Sequence, residues 1–579
     1  MGTSWIIEGT VDPRWPVNTR GNVGEVFPEV ITKLSYLYGV IPAERAWRNA
    51  YLDLGIGHKQ DFGSTEPVII GLYGGYTYLN LSYLRMMGVR APGSSAEAID
   101  VSFFGEGDPP AYEAKSGDKR PLNGIKILRT VLKALAIDEM PPQVADSAAA
   151  CAEYAARRPA LDASDEELLD YLDAFPAGFE RVFKNHMITT ALAAIVAGVL
   201  IDAAAAAGEP GLVTHLIGAA GDVRSAEYSQ ALYAIAKDVR ATPKVEAAFD
   251  VGVDGLLDRL ADVPEAESFR TAFASFVSQH GHRGPNDWEL SARTWDNTPE
   301  LALAAIDAMR RADHDLSPST RLGDDEAKRE AAIAKVRPHL GFMDKMNFDK
   351  AVKAVGYWEQ GREGTRDRAV RFSLPVKQVY RELVRRGAER GGTADPVAVA
   401  LLDPRDELRR YLADPPAMLD LIDERLALYE RFSSVEPPFF VTSQSEVPTI
   451  EELEATEAEE VVAADVGTVL TGDAGCSGVA RGRARVVLDP ADAGQLEPGE
   501  ILVAPLTDPS WTPLFLPAAA VVVNVGALMS HAVIVARELA IPCVVAVEGA
   551  TRRLSTGMLI EVDGTAGTVT VVEATPAPA

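Results

Sequence analysis

His531 is one of only eight histidines in the 579-residue chain, and it stands where a β-branched run changes to a helical pattern. A strand ending near Gly526 and a helix carrying Val535 and Leu539 place it in the first helical turn. Unsatisfied N–H groups and the positive end of the helix dipole lie there, so a neutral imidazole and a nearby anion are both favoured. A neutral imidazole is a nucleophile, and the same donors would hold a phosphoryl group bonded to its ring. The position is suited to a phosphohistidine.

The alternative is an ordinary polar first-turn residue behind a capping serine. Ser530 is a frequent type of helix cap, but the capping-box position holds Val533 where Glu or Gln is expected. The spacing therefore permits a phosphocarrier and does not demand one.

Composition and charge exclude several classes of protein. A net charge of −28 argues against binding to nucleic acid. Cys151, Cys476 and Cys543 have no metal-ligand spacing and fit a reducing compartment, and the N-terminus lacks the pattern of a signal peptide. The uncharged run 187–201 is shorter than the roughly 20 residues of a membrane span, which favours a buried bundle helix. We expect a cytoplasmic protein with no membrane or nucleic-acid partner.

The pattern along the chain predicts a multidomain α+β protein. Residues 1–120 are mixed α/β, and residues 121–433 are mainly helical, with a capping-box start at Ser164 and Glu167. Residues 434–465 are acidic and contain proline, which is typical of a linker. Residues 466–575 alternate short β-branched runs with turns and contain one clear helix.

The C-terminal motifs GEILVAPLTDPSWTPLF, GALMSHAVIVARELAIPCVV and GMLIEVDGTAGTV resemble the swivelling β/β/α phosphohistidine domain of the phosphoenolpyruvate-utilising dikinases. That family includes rifampicin phosphotransferase, phosphoenolpyruvate synthase and phenylphosphate synthase. The resemblance implies that His531 takes a phosphoryl group from ATP and passes it to an acceptor. Ser530, Asp508 and Thr512 belong to the same motifs and are interpreted as turn or capping residues that support the carrier. Met529 stands where the family often has threonine.

The first 433 residues resemble the acceptor-binding region of the same family, in NVGEVFPEVITKLSYLYG, GGYTYLN, HGHRGPNDWELSARTWDNTP and REGTR. This implies that Glu25 lines the acceptor pocket, although an acidic residue at a helix start explains Glu25 equally well. It also implies that Arg362 and Arg366 bind phosphate, with Arg366 at a position where the family has lysine. A solvated charge cluster on a helix explains both arginines equally well.

The HGHRG segment supplies two candidate bases within this family context. An acceptor hydroxyl loses its proton as it attacks phosphorus, and either His280 or His282 is suited to take it, with Arg283 binding phosphate. A loop contact or a metal site is the alternative, but two histidines without a cysteine partner are a weak metal signal. No metal site is predicted.

The assigned regions leave no segment for an ATP-grasp domain, and no GxxxxGK[ST] loop occurs. The resemblance therefore implies one subunit of a split dikinase, with ATP and Mg²⁺ on a separate ATP-grasp subunit and a small phenolic compound as the hydroxyl acceptor. Two alternatives stay open: a rifampicin-like antibiotic phosphotransferase, and a non-enzymatic phosphorelay or binding protein.

Overall fold

The computed structural model describes residues 10–63, 67–90, 95–104, 109–115, 117–217, 224–311, 319–443, 447–457, 463–488, 496–507, 511–526 and 530–574. Asp508, a predicted support residue of the carrier, lies outside them. The predicted fold class is confirmed: a mixed N-terminal part and a large helical region precede a small strand-rich domain.

The N-terminal part is built on a four-stranded antiparallel sheet with strand order β2-β3-β1-β4. Its hairpin turns at Gly74 and Gly75, whose positive φ angles of 55° and 76° suit the tight turn between β2 and β3. The strands are β1 (Asn18–Thr19), β2 (Ile70–Tyr73), β3 (Tyr76–Asn80) and β4 (Phe440–Val441). The helices are α1 (Val23–Val26), α2 (Lys33–Ser35), α3 (Ile41–Leu54), α4 (Leu81–Arg90) and α5 (Ala96–Phe104).

The helical region is organised around two long helices, α9 and α17, which pack along each other. The predicted capping box is present at the start of α8, where Ser164 and Glu167 cap each other's backbone N–H groups. The helices are α6 (Pro121–Leu135), α7 (Pro142–Ala156), α8 (Asp165–Asp173), α9 (Phe175–Ala206), α10 (Val213–Ile217), α11 (Arg224–Ala241), α12 (Pro243–Asp250), α13 (Leu256–Arg259), α14 (Glu267–His280), α15 (Glu300–Arg311), α16 (Ser319–Val336), α17 (Phe342–Glu389), α18 (Pro396–Ala400), α19 (Glu407–Ala413) and α20 (Leu419–Ser433).

The apolar run 187–201 lies within α9. Among the described residues one helical stretch, residues 165–206, is long and apolar enough to cross a membrane, and half of its most apolar window is buried inside the protein. Leu192, Val196 and Leu200 pack in one core with Trp358 of α17. The helix therefore contributes a buried face to the bundle, as the sequence predicts.

The segment predicted as a linker, residues 434–465, contains folded elements where the structure describes it. Residues of β4 pair with β1, and the helix α21 (Ile450–Glu457) packs onto the N-terminal part. Ile450 and Leu453 are buried in a cluster with Tyr76, and Arg431 of α20 pairs with Glu454. Two apolar residues at helical spacing outweigh the acidic composition because they bury surface against aromatic rings.

The C-terminal domain contains an eight-stranded sheet with strand order β5-β12-β11-β7-β8-β9-β10-β6. The four neighbouring strands β7, β8, β9 and β10 run parallel, and β8 and β9 are buried throughout, as their continuous aliphatic runs require. The strands are β5 (Val469–Thr471), β6 (Asp473–Cys476), β7 (Val479–Val486), β8 (Ile501–Ala504), β9 (Ala520–Val523), β10 (Cys543–Val545), β11 (Leu559–Asp563) and β12 (Thr568–Glu573). The helices are α22 (Thr512–Phe515), α23 (His531–Leu539) and α24 (Ala550–Arg553).

The C-terminal domain is docked on the helical region through α22 and the residue that follows it. Leu516 is buried in the same cluster as Trp295, Leu303 and Ile306, which belong to the helical region. This contact brings the start of α23 against the N-terminal part of the chain as well.

The buried carboxylate of Glu289 joins two of the segments that resemble the family. It accepts hydrogen bonds from the hydroxyls of Thr32 and Ser35 at 2.7 and 2.6 Å and from Ser291 at 2.9 Å. The HGHRG segment and the segment after Glu25 are therefore held in a fixed relation.

Replacing Glu289 with alanine should destabilise the acceptor-binding region by about 2–4 kcal/mol, because three buried hydroxyls lose their common acceptor. Calorimetric melting should show the lower transition temperature. The exposed acid Glu139 offers a matched control, and Glu139→Ala should shift the transition little. Equal melting curves for the two variants would contradict this role.

Candidate functional site

His531 lies at the first position of α23, beyond the carboxyl end of β9. Because β8 runs parallel to β9, the segment after β8 reaches the same sheet edge and brings two threonines to the imidazole. Thr507 Oγ1 lies 3.0 Å from Nδ1, and Thr512 Oγ1 lies 3.1 Å from Nε2. The ring of Phe515 meets the imidazole edge-on at 5.9 Å. Both ring nitrogens are thus held by hydroxyls, which donate to or accept from either tautomer.

The imidazole of His531 is uncharged in this position. Burial lowers its pKa well below the ordinary value of 6.5, and the guanidinium groups of Arg366 and Arg283 lower it further. His531 is therefore under the electrostatic influence of two cations of the helical region, and its neutral ring keeps a nucleophilic lone pair.

Glu25 contacts the carrier helix directly. Its Oε2 accepts a hydrogen bond of 3.1 Å from the backbone N–H of His531. Ser530 has the backbone conformation of an N-cap, yet its side chain caps no N–H group, and its buried Oγ has no partner in the described parts of the chain. The first turn of α23 is thus capped by a carboxylate from another domain, 506 residues away in sequence.

The turn that carries Glu25 is held by a buried arginine. Arg20 donates to the carbonyls of Phe27 and Pro28 and to that of Thr77 on β3. Burial lowers the pKa of Arg20, and its guanidinium stacks 5.1 Å from the ring centre of Tyr76. The cap therefore comes from a fixed position.

Tyr228 of α11 bridges the two domains. Its hydroxyl lies 3.0 Å from Oγ1 of Thr512, the residue that contacts Nε2 of His531. Arg283 lies over the Tyr228 ring at 5.8 Å, and the His280 ring meets it edge-on at 6.3 Å. Tyr228 thus connects the HGHRG segment with the carrier.

The two arginines of the REGTR segment differ in their surroundings. Arg362 forms ion pairs of 3.2 Å with Glu359 and Glu363 on its own helix, the arrangement expected of a surface charge cluster. Arg366 makes no hydrogen bond or ion pair within the described ranges of the chain. Arg366 is the cation available to an incoming anion.

His282 is a buried structural link. Its Nε2 lies 2.8 Å from the Asp367 carboxylate, which joins the HGHRG segment to α17. Burial lowers the pKa of His282 against the opposing pull of Asp367. Burial alone would raise the pKa of Asp367, but His282, Arg283 and Arg371 hold it well below its usual range. Because His282 is engaged with Asp367, it is better suited to position the HGHRG segment than to take a proton from an acceptor.

His280 is half-buried and packs on Phe276 at 5.2 Å. Burial and the nearby His282 lower its pKa to about 4, so it is neutral near pH 7 and is a weak base there. The choice between the two histidines as base stays a prediction.

The structure brings Ser530, Thr512, Glu25, Arg283 and Arg366 to the surroundings of His531, while it engages Arg362 and His282 with acidic partners. Sequence reasoning missed further residues of the site, which are Thr507, Tyr228, Phe515, Asp367, His186 and Trp288. Thr507 could have been found from the sequence, because it stands directly before Asp508 in the carrier motif. The other five residues have no sequence signal, because only tertiary contacts bring them to the site. Among the described residues no group of three or more His, Cys, Asp or Glu side chains is arranged to hold a metal ion.

Two protein families match the two halves of this site. The family described as rifampicin phosphotransferase fourth domain matches residues 186–363, and the mobile domain of phosphoenolpyruvate-utilising enzymes matches residues 496–567. Together with the relatives below, these matches support the phosphoenolpyruvate-utilising, dikinase-like family.

The relatives with a named activity are transferases. A rifampicin phosphotransferase of Streptomyces sviceus is 30% identical over 62% of this chain and 41% of its own length, and a prodigiosin-synthesising transferase of Serratia marcescens is 29% identical over 62% and 40%. An uncharacterised protein of Mycobacterium tuberculosis is 36% identical over 55% of this chain and 33% of its own length. The chain thus covers between a third and two fifths of the length of these relatives.

Glu25→Ala should release the carrier domain, because the first turn of α23 loses its cap. Loss of a helix cap corresponds to about two- to thirtyfold in an equilibrium constant, and hydrogen exchange in α23 should rise by such a factor. The matched variant Glu25→Gln keeps an acceptor oxygen and should retain most of the protection. Unchanged exchange in Glu25→Ala would contradict the capping role.

Acidification should weaken docking of the carrier domain. The docked pKa of His531 lies below 6.5, so the undocked state binds the proton more tightly, and the docked state loses stability as pH falls through about 6.5. Small-angle scattering between pH 8 and 5 should show expansion of the wild type. His531→Gln should remove this pH-dependent expansion. If the wild type and the variant expanded equally as the pH falls, His531 would be excluded as the cause.

Proposed function

We propose that this chain provides the acceptor pocket and the phosphohistidine carrier of an ATP-dependent, dikinase-type phosphotransferase. The net reaction is ATP + acceptor–OH + water giving acceptor phosphate + AMP + phosphate. The observation that carries the proposal is the His531 imidazole at the start of α23, whose two ring nitrogens are held by the hydroxyls of Thr507 and Thr512 and whose pKa is lowered by burial and by the charge of Arg366.

The reaction divides into two transfers at His531. In the first, a ring nitrogen bonds to the β-phosphorus of ATP, AMP leaves, and water releases the γ-phosphoryl group as phosphate. In the second, the acceptor oxygen attacks phosphorus, the P–N bond breaks, the ring nitrogen regains its lone pair, and the hydroxyl proton passes to a base or to solvent. Arg366 and Arg283 stabilise the charge on the transferring group, since phosphoryl transfer is mainly positioning and electrostatics.

The first transfer requires a nucleotide site, which we assign to a separate ATP-grasp subunit that binds ATP and Mg²⁺. The contacts between the two domains include one cap, one hydroxyl pair and the packing of Leu516, and none of these is covalent, so the proposal has them break and re-form between transfers. A carrier docked by such a contact is suited to visit a second protein between transfers.

The acceptor that we favour is a small phenolic compound, as the resemblance to phenylphosphate synthase implies. An antibiotic of the rifampicin type is the second candidate, favoured by the match to the rifampicin phosphotransferase fourth domain. Product formation from a panel of simple phenols and from rifampicin separates the two.

The decisive experiment is labelling with ATP that is radioactive in its β-phosphate, with a purified ATP-grasp subunit added or omitted. Acid-labile label should appear on the wild type only with that subunit, and His531→Ala should abolish it. His339→Ala, which changes an exposed histidine, is the matched control and should label normally. The absence of label on the wild type with the subunit present would overturn the carrier role.

A further inference from the structure

A buried hydrogen-bond donor near the predicted phosphate site has no partner in the described residues. The indole Nε1 of Trp288 is inaccessible to solvent and donates no hydrogen bond there. An unsatisfied buried donor costs about 1–3 kcal/mol, and most buried donors in folded proteins are paired. An acceptor atom therefore belongs at this position when the site is filled.

The surroundings of this indole are aromatic. The ring of Trp288 meets Phe183 edge-on at 5.9 Å and lies 6.5 Å from the His186 ring at a tilt of 32°. Burial lowers the pKa of His186 to about 3, with Arg366 adding to the shift, so the imidazole is uncharged. Phe183, His186 and Trp288, named here the Trp288 site, form an uncharged aromatic surface with one free N–H group.

The His186 ring is anchored on α17 next to the REGTR segment. Its Nδ1 lies 3.4 Å from Oγ1 of Thr365, which in turn donates to the carbonyl of Gly361 at 2.9 Å. Thr189 on the next turn of α9 lies 2.8 Å from the same hydroxyl. Phe183 and His186 on α9 and Arg366 on α17 are therefore carried by two helices that pack against each other.

Two connections link the Trp288 site with the carrier histidine. Arg366 directly follows Thr365, whose hydroxyl lies 3.4 Å from the His186 ring, and its charge also acts on the imidazole of His531. Trp288 also lies five residues after Arg283, the second cation that acts on His531. Arg366 and Arg283 thus connect the Trp288 site with the carrier.

We infer that the Trp288 site binds the aromatic ring of the acceptor, and that the acceptor carries an oxygen atom, remote from the phosphorylated hydroxyl, that accepts a hydrogen bond from Trp288 Nε1. The hydroxyl then points toward Arg366 and His531. This inference rests on the proposed function for the role of the hydroxyl, whereas recognition of the second oxygen depends on the Trp288 site alone.

The test compares two phenols of similar size, 4-methoxyphenol and 4-ethylphenol, which differ in an ether oxygen in place of a methylene and are both un-ionised at pH 7. Calorimetric titration of the purified chain, without nucleotide, should give at least about fivefold tighter binding of 4-methoxyphenol, the factor expected for one hydrogen bond. Trp288→Phe should reduce this preference to below twofold while 4-ethylphenol binds as before.

The matched control is Trp358→Phe, because the Trp358 indole already donates to the carbonyl of Ala134 at 2.9 Å. That variant should keep the preference for 4-methoxyphenol. Equal affinities for the two phenols in the wild type, a preference that survives Trp288→Phe, or no binding of either at millimolar concentration would each overturn the inference.

The result of this binding test can be distinguished from the result of the labelling experiment that tests the proposed function. Oxygen-selective binding that depends on Trp288, combined with a failure to label His531, would leave the site standing and remove the carrier role. Labelled His531 with equal transfer to both phenols would leave the carrier role standing and remove the Trp288 site.

Discussion

The neutrality of the His531 imidazole is the constraint on which the arrangement of the two domains depends. A charged imidazole would face Arg366 and Arg283 across a dry interface, where like charges repel strongly. The docked structure instead surrounds the ring with hydroxyls and a phenyl edge, which accept a neutral heterocycle. Arg366 makes no ion pair within the described residues, whereas Arg283 is paired with Asp287 at 3.2 Å.

The supporting contacts follow from that requirement. Glu289 ties the HGHRG segment to the N-terminal part, and the His282–Asp367 pair ties it to α17. The Glu289 carboxylate is buried and accepts from several donors, and the partly exposed Asp367 carboxylate is bonded to His282. Arg283, next to His282, and Arg366, next to Asp367, are therefore carried by segments that these contacts hold in place.

Local sequence signals predicted what depends on neighbours in the chain. The capping box of Ser164 and Glu167 predicted the start of α8, and the aliphatic runs predicted β8 and β9 with the turn that leads to His531. Contacts between distant segments left no such signal. The cap from Glu25, the phenol of Tyr228 and the free indole of Trp288 depend on how helices far apart in sequence pack. Where the predicted linker folds, two apolar residues within an acidic run decide that α21 packs.

The packing of α21 onto the N-terminal part has a consequence for the geometry of turnover. Only residues 458–468 separate that helix from the first strand of the carrier domain, and eleven residues extend at most about 40 Å. So short a connection keeps the C-terminal domain at a high effective concentration near the N-terminal part. It also limits the domain to a sphere of that radius. Under the proposed function, any partner that exchanges a phosphoryl group with His531 has to reach inside that sphere.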